Sequence, residues 1–93
     1  MRVEIDADLQ ELIPGYLDSI KVELEPVKDV SDLEKCRAVA HKLAGNAGGY
    51  GFTDLGQLGR DLEGLCKESN SDGAKAKLAE IFSYLDSVEV VYV

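Results

Sequence analysis

The sequence predicts an all-α fold, an antiparallel four-helix bundle. Four segments each carry apolar residues at alternating spacings of three and four, which is the pattern of a helix with one buried face. Short polar links join these segments, and no segment shows the apolar–polar alternation of a strand. The chain has 93 residues, so we expect a single domain over residues 1–93.

The first segment predicts a short helix that is kinked or restarted. Asp6 is a suitable N-cap residue, and Glu25-Pro26 favours an end, because the residue before proline avoids helical geometry. Pro14-Gly15 interrupts the pattern, since a proline inside a helix removes a hydrogen bond and clashes with the preceding turn. The apolar positions are Ile5, Leu9, Leu12, Ile13, Tyr16, Leu17, Ile20, Leu24 and Val27.

The second segment predicts a long, regular helix. Ser31-Asp32-Leu33-Glu34 matches a capping box, and Gly51 is a natural stop. The helix would have about 20 residues and a length of roughly 30 Å. Its buried stripe would consist of Leu33, Cys36, Ala40, Leu43, Ala47 and Tyr50.

The third and fourth segments predict two more amphipathic helices, separated by the turn Asn70–Gly73. We expect Gly56 and Gly59 to serve helix packing, and the β-branched end Val88–Val93 to fray. The apolar positions are Leu55, Leu58, Leu62 and Leu65 in the third segment, and Ala74, Leu78, Ile81, Leu85, Val88 and Tyr92, with Phe82 alongside, in the fourth.

Composition argues against several kinds of partner and location. The formal net charge of −8 predicts repulsion from nucleic acid and from anionic membrane surfaces. Met1–Asp6 has no apolar core of a signal peptide, and no run is long enough to span a membrane, so we expect a cytoplasmic protein. Cys36 and Cys66 are then expected to be reduced and partly buried. The initial Met1 favours a free-standing protein.

The single histidine, His41, is surrounded by small residues. Ala38, Gly45 and Gly48 follow helical spacing from His41 and would lie on its face. A glycine within a helix costs about 1 kcal/mol relative to alanine, so a compensating role is expected. We interpret these three positions as a surface that lets another protein approach His41 closely.

The stretch from Ala40 to Glu63 resembles the signature of histidine phosphotransfer (HPt) domains, the intermediate carriers of bacterial two-component phosphorelays. Its sequence is AHKLAGNAGGYGFTDLGQLGRDLE. The matching positions are His41, Leu43, Gly45, the small residues Asn46–Gly48, Gly51, and Leu62-Glu63. This motif covers about a quarter of the chain, and the four-helix pattern extends the resemblance to nearly all of it.

The resemblance implies a phosphocarrier without kinase activity of its own. His41 would accept a phosphoryl group from a phospho-aspartate receiver domain or hybrid histidine kinase and pass it to another response regulator. Glu63 would orient the ring through Nδ1, and no cofactor is implied, since Mg²⁺ would belong to the partner receiver. We expect a monomer.

Three cations near the site are candidates for stabilising the phosphoryl group: Lys42, Arg37 and Lys67. The family often carries a lysine three residues after the histidine, and this chain has Ala44 there. The departure places charge stabilisation of the phosphorylated form in question.

Other interpretations stay open. The chain could be an interaction module that docks receiver domains independently of phosphorylation. The alanine at position 44, where the family often has lysine, supports this interpretation. Glu63 could form only a surface pair with Lys67, four residues later. A metal-binding or enzymatic bundle is a third class, although Cys36, His41 and Cys66 fit no zinc spacing.

Overall fold

The computed structural model describes residues 2–93 and confirms the predicted all-α helical bundle. Met1, the first residue of the predicted domain, lies outside the described residues. Helix α1 contacts both α2 and α4, α2 contacts α3, and α3 contacts α4. In chain order, the elements are β1 (Arg2–Ile5), α1 (Ile13–Leu24), α2 (Leu33–Asn46), α3 (Thr53–Lys67), α4 (Ser71–Ser87) and β2 (Glu89–Tyr92).

The first helical segment restarts at Pro14, as its sequence predicts. Asp6 caps a separate 3-10 helix, Ala7–Leu9, by accepting a hydrogen bond from the backbone N–H of Asp8. Helix α1 then begins at Ile13, so Pro14 occupies its first turn, where the missing N–H is not needed.

Helix α2 is shorter than its sequence pattern suggests, and its predicted cap is wrong. The side chain of Asp32, and not that of Ser31, accepts the capping hydrogen bond from Lys35 N at 3.2 Å. The helix has 14 residues instead of about 20, because it ends at Asn46. A 3-10 turn, Gly48–Tyr50, follows, and it closes at Gly51 in the left-handed conformation, with φ 96°.

The buried residues of the bundle form one apolar cluster. Helices α2 and α3 pack most intimately, and Gly56 and Gly59 of α3 are buried against α2, as predicted. A Cβ placed on Gly59 would lie 2.9 Å from the backbone nitrogen of Ala44, so the two helices approach each other closely there. The predicted stripe of α2 is buried at Cys36, Ala40, Leu43 and Ala47, and half-buried at Leu33 and Tyr50.

The chain ends form a small parallel sheet that the sequence analysis missed. Strands β1 and β2 pair in register from Arg2 with Glu89 to Ile5 with Tyr92. The expectation that Val88–Val93 frays is therefore wrong. Each strand has only four residues, and its partner lies at the opposite end of the sequence, so local periodicity could not reveal the pairing.

Within residues 2–93, no helix is long and apolar enough to cross a membrane.

The contact between Ile5 and Gly51 joins the terminal sheet to the loop after α2. Ile5 is 1% exposed, and its Cδ1 would lie 2.7 Å from a Cβ added at Gly51. Gly51 also needs its left-handed φ, which L side chains adopt only with strain.

We therefore expect Gly51→Ala to lower the free energy of unfolding by about 1–3 kcal/mol, the usual cost of a strained backbone residue. Urea denaturation measures this loss. Gly49→Ala is the matched control, because nothing lies within 4 Å of an added Cβ there. Equal stabilities for the two variants would contradict the prediction.

Candidate functional site

His41 lies on the solvent side of α2, next to its buried stripe. Its neighbour Ala40 is fully buried, while 77% of the His41 side chain is exposed. Because successive helical residues are separated by about 100°, the imidazole stands at the edge of the buried face. A partner protein can therefore reach the ring without any opening of the bundle.

Glu63 of α3 contacts the imidazole of His41 through the ring nitrogen Nδ1. Its Oε2 lies 2.7 Å from Nδ1 of His41, within hydrogen-bond distance. The Glu63 side chain is only 16% exposed, so the carboxylate is sheltered while the ring is open. With Nδ1 donating to Glu63, the lone pair of the ring lies on Nε2.

The surroundings of Glu63 favour its charged form. The hydrogen bond from His41 lowers the pKa of Glu63, and the positive charges of Lys67 and Arg37 act in the same direction. Burial opposes this shift without reversing it. The Nζ of Lys67 lies 3.8 Å from Glu63 Oε2, so the surface pair weighed in the sequence analysis exists alongside the contact with His41.

A shallow cavity of about 310 Å³ opens beside the ring, on the side of the N-terminus of α2. It contains two of the three predicted cations, Arg37 and Lys67. Its lining residues are Glu34, Arg37, Ala38, His41, Glu63 and Lys67. The sequence analysis missed Glu34, although its spacing of seven residues from His41 places it two turns away on the same face.

The third predicted cation, Lys42, is directed elsewhere. Its Nζ donates to Oε1 of Glu23 on α1 at 2.5 Å, and it is not part of the cavity lining. The pairing across α1 and α2 could not be read from helical spacing, because Glu23 precedes Lys42 by 19 residues.

The small residues around His41 leave open space. Ala38 is exposed, and a Cβ added at Gly45 or Gly48 would meet nothing within 4 Å. Gly45 belongs to α2, whereas Gly48 begins the 3-10 turn beyond it. None of these three positions therefore adds a bulky side chain beside His41.

Tyr16 provides a second tie between α1 and the end of α2. Its hydroxyl donates to Oδ1 of Asn46 at 2.5 Å, and its ring stacks on Tyr50 with centroids 4.0 Å apart. Burial, together with Tyr50 and Glu23, raises the pKa of Tyr16 to about 12. The hydroxyl therefore stays protonated and remains a hydrogen-bond donor at neutral pH.

Cys36 and Cys66 are buried free thiols on α2 and α3. Burial, and next the contact with Cys66, raises the pKa of Cys36 to about 12, so this thiol is protonated and poorly nucleophilic. In the part of the chain that the structure describes, no three His, Cys, Asp or Glu side chains are grouped to hold a metal ion.

Comparison with known proteins gives one family. The family model described as Hpt domain matches residues 4–90 of the 93-residue chain. The searches of curated proteins and of solved structures return no match. The matched range contains every site residue described above.

The His41 contact predicts the titration of Glu63. Because the hydrogen bond from His41 is the largest cause of the lowered pKa, His41→Ala should raise the Glu63 pKa, and Lys67→Ala should raise it less. Carbon-detected NMR titration of the Glu63 carboxyl measures both. Lys42→Ala serves as the control and should leave the titration unchanged, since Lys42 pairs with Glu23.

The lowered pKa of Glu63 also predicts how the free energy of unfolding changes with pH. A carboxyl whose pKa is depressed by folding adds stability above its unfolded pKa and loses it as the pH falls through the folded value. The contribution of Glu63 to the free energy of unfolding should accordingly disappear at acidic pH.

The titration of Glu63 also tests the contact with His41. If the pH midpoint of the Glu63 titration is the same in His41→Ala and in the parent protein, the hydrogen bond between His41 and Glu63 does not exist in solution.

Proposed function

Because the chain belongs to the Hpt domain family, we propose that His41 is the residue that carries the phosphoryl group. The family implies a histidine phosphotransfer role in phosphorelays and interaction with response-regulator receiver or kinase partners. Its members are phosphocarriers and not enzymes. The observation that carries the assignment to His41 is its exposed ring, 77% accessible, with Nδ1 held 2.7 Å from Glu63.

The hydrogen bond to Glu63 supports a nucleophilic role for Nε2. An imidazole with its proton on Nδ1 has its lone pair on Nε2, pointing away from the carboxylate. In the proposed step, Nε2 attacks the phosphorus of an aspartyl phosphate in the partner. The N–P bond forms while the bond from phosphorus to the aspartate oxygen breaks, and the aspartate leaves as a carboxylate.

Glu63 supports the same step electrostatically. The ring gains positive charge as Nε2 bonds to phosphorus, while Nδ1 keeps its proton. A carboxylate hydrogen-bonded to Nδ1 stabilises an imidazolium and fixes its direction. The lowered pKa of Glu63 keeps this carboxylate charged at neutral pH. Passing the group to a second receiver reverses these changes.

Arg37 and Lys67 are the proposed cations for the phosphoryl group. Both line the cavity beside His41, and charge-assisted hydrogen bonds to phosphate oxygens are stronger than neutral ones. Lys42 is a weaker candidate for binding the phosphoryl group, because it is paired with Glu23. Glu34, in the same cavity, opposes them with a negative charge.

The proposal includes no cofactor for this chain. Phosphoryl transfer depends on positioning and charge neutralisation, and the Mg²⁺ that supplies much of the latter would come with the receiver. The sequence has no phosphate-binding glycine loop or kinase motif, so we propose that the protein does not phosphorylate itself. We also propose that it acts as a monomer and, with its net charge of −8, does not bind nucleic acid.

Phosphotransfer from a labelled receiver tests the proposal. With Mg²⁺ and a phosphorylated receiver, the parent protein should acquire acid-labile, base-stable label, and His41→Gln should acquire none. Lys42→Ala is the matched control and should be labelled like the parent. Label on His41→Gln, or on neither protein across a panel of receivers, would contradict the assignment.

Ala44, in place of the family's frequent lysine, favours a second candidate function. In this alternative, the helical surface docks receivers without accepting the phosphoryl group. Equal receiver binding by the parent protein and His41→Gln, with no label on either, is the outcome that would establish it. Isothermal titration with the same receivers gives the affinities.

Removal of either cavity cation should destabilise the phosphorylated form of His41. Arg37→Ala and Lys67→Ala should each shift the transfer equilibrium away from phospho-His41 by about 1.5- to 5-fold, since exposed ion pairs contribute about 0.2–1 kcal/mol. Lys42→Ala should shift it less than either. The ratio of labelled carrier to labelled receiver at equilibrium measures the effect, and a larger effect at Lys42 would reverse the assignment.

A further inference from the structure

Gly59 lies at a close approach between the helices that carry His41 and Glu63. A Cβ built on it would lie 2.9 Å from Ala44 N, 3.2 Å from Leu43 Cγ and 3.3 Å from Ala40 O. Two of these three atoms belong to the backbone of α2, which cannot rotate away as a side chain can. An added methyl group would therefore move one helix relative to the other.

The position of this approach links it to the site. Ala40 directly precedes His41, and Leu43 and Ala44 follow it within one turn. On the opposite helix, Gly59 precedes Glu63 by four residues, so both lie on the same face one turn apart. A shift of α3 at Gly59 is thus a shift of the segment from which Glu63 reaches His41.

The other glycines of α3 do not share this constraint. A Cβ on Gly56 would lie no closer than 3.7 Å to its neighbours, which is an ordinary contact, and a Cβ on Gly64 would meet nothing within 4 Å. Because glycine weakens a helix relative to alanine, the close approach gives a spatial reason for this residue at position 59.

We propose that Gly59 is a positioning residue for His41, because it lets α2 and α3 approach closely enough for Glu63 to reach Nδ1. Its importance for phosphoryl transfer rests on the proposed function. The geometric part does not, since the contact between the two side chains can be measured without any transfer.

The hydrogen bond is sensitive to such a shift. At 2.7 Å it is short, and a separation near 3.6 Å is no longer a hydrogen bond. Without the acceptor, the neutral ring redistributes its proton between Nδ1 and Nε2, and the form protonated on Nε2 has no lone pair for attack. Widening the helix pair would therefore lower the fraction of His41 in the nucleophilic tautomer and would also leave the ring less well oriented.

Gly59→Ala is the test, with Gly64→Ala and Gly56→Ala as matched controls on the same helix. Long-range ¹⁵N NMR gives the His41 tautomer, carbon-detected NMR gives the Glu63 pKa, and receiver-dependent labelling gives the transfer rate. In Gly59→Ala we expect less proton on Nδ1, a raised Glu63 pKa, and transfer slowed by roughly 3- to 30-fold, since a misplacement of about 1 Å can cost about 100-fold. Both controls should match the parent in all three measurements.

The outcomes separate this inference from the proposed function. A folded Gly59→Ala protein with the parent's tautomer and Glu63 pKa would overturn the positioning role. If the NMR changes occur but the parent protein is never labelled, phosphotransfer through His41 is wrong and the positioning role stands. If Gly59→Ala is unfolded in buffer, it is compared with the parent in trimethylamine N-oxide, which favours compact states. Failure to fold even there would mean that Gly59 has a structural role only, which also overturns the inference.

Discussion

The distance between α2 and α3 is the constraint on which the site depends. The hydrogen bond from His41 Nδ1 to Glu63 Oε2 joins two helices, so its 2.7 Å length is set by how closely they pack. The packing is tight because glycines of α3 face the backbone of α2, and a Cβ at Gly59 would lie 2.9 Å from Ala44 N. The apolar core therefore positions a polar contact at its edge, and this contact links the exposed ring to the neighbouring helix.

This arrangement separates two demands that usually conflict. In the proposed function, His41 must be accessible to its partner, and the carboxylate that orients its ring must be held in a defined geometry. Here the ring is 77% exposed, while the carboxylate is 16% exposed and is fixed on the neighbouring helix. Burial favours the neutral carboxyl, but the contacts with His41, Lys67 and Arg37 outweigh it. The charged carboxylate is thus retained where it can influence the ring.

Much of the fold followed from apolar spacing, because each helix buries one stripe and residues three and four apart share it. The relation of His41 to Glu63 could be anticipated only through the resemblance, since 22 residues separate them and spacing does not specify contacts between helices. The same reason explains the misses. Lys42 forms an ion pair with Glu23 on another helix, and β1 pairs with β2 at the far end of the chain. Each pairing therefore depends on tertiary structure. The true cap of α2, Asp32, was adjacent to the predicted one, where competing oxygen acceptors make sequence a weak guide.

The alanine at position 44 changes where positive charge can lie. Helical side chains lean toward the N-terminus, so a lysine at this position would extend beside His41. Ala44 and Gly45 themselves contribute no long side chain there, and the cations Arg37 and Lys67 instead line the cavity toward the start of α2. If His41 carries the phosphoryl group as proposed, Arg37 and Lys67 are the positive charges that this cavity offers it. In the proposed complex, Gly45 would leave room for the partner's surface on the far side of His41, because nothing lies within 4 Å of a Cβ added there, whereas Ala38 belongs to the lining of the charged cavity itself.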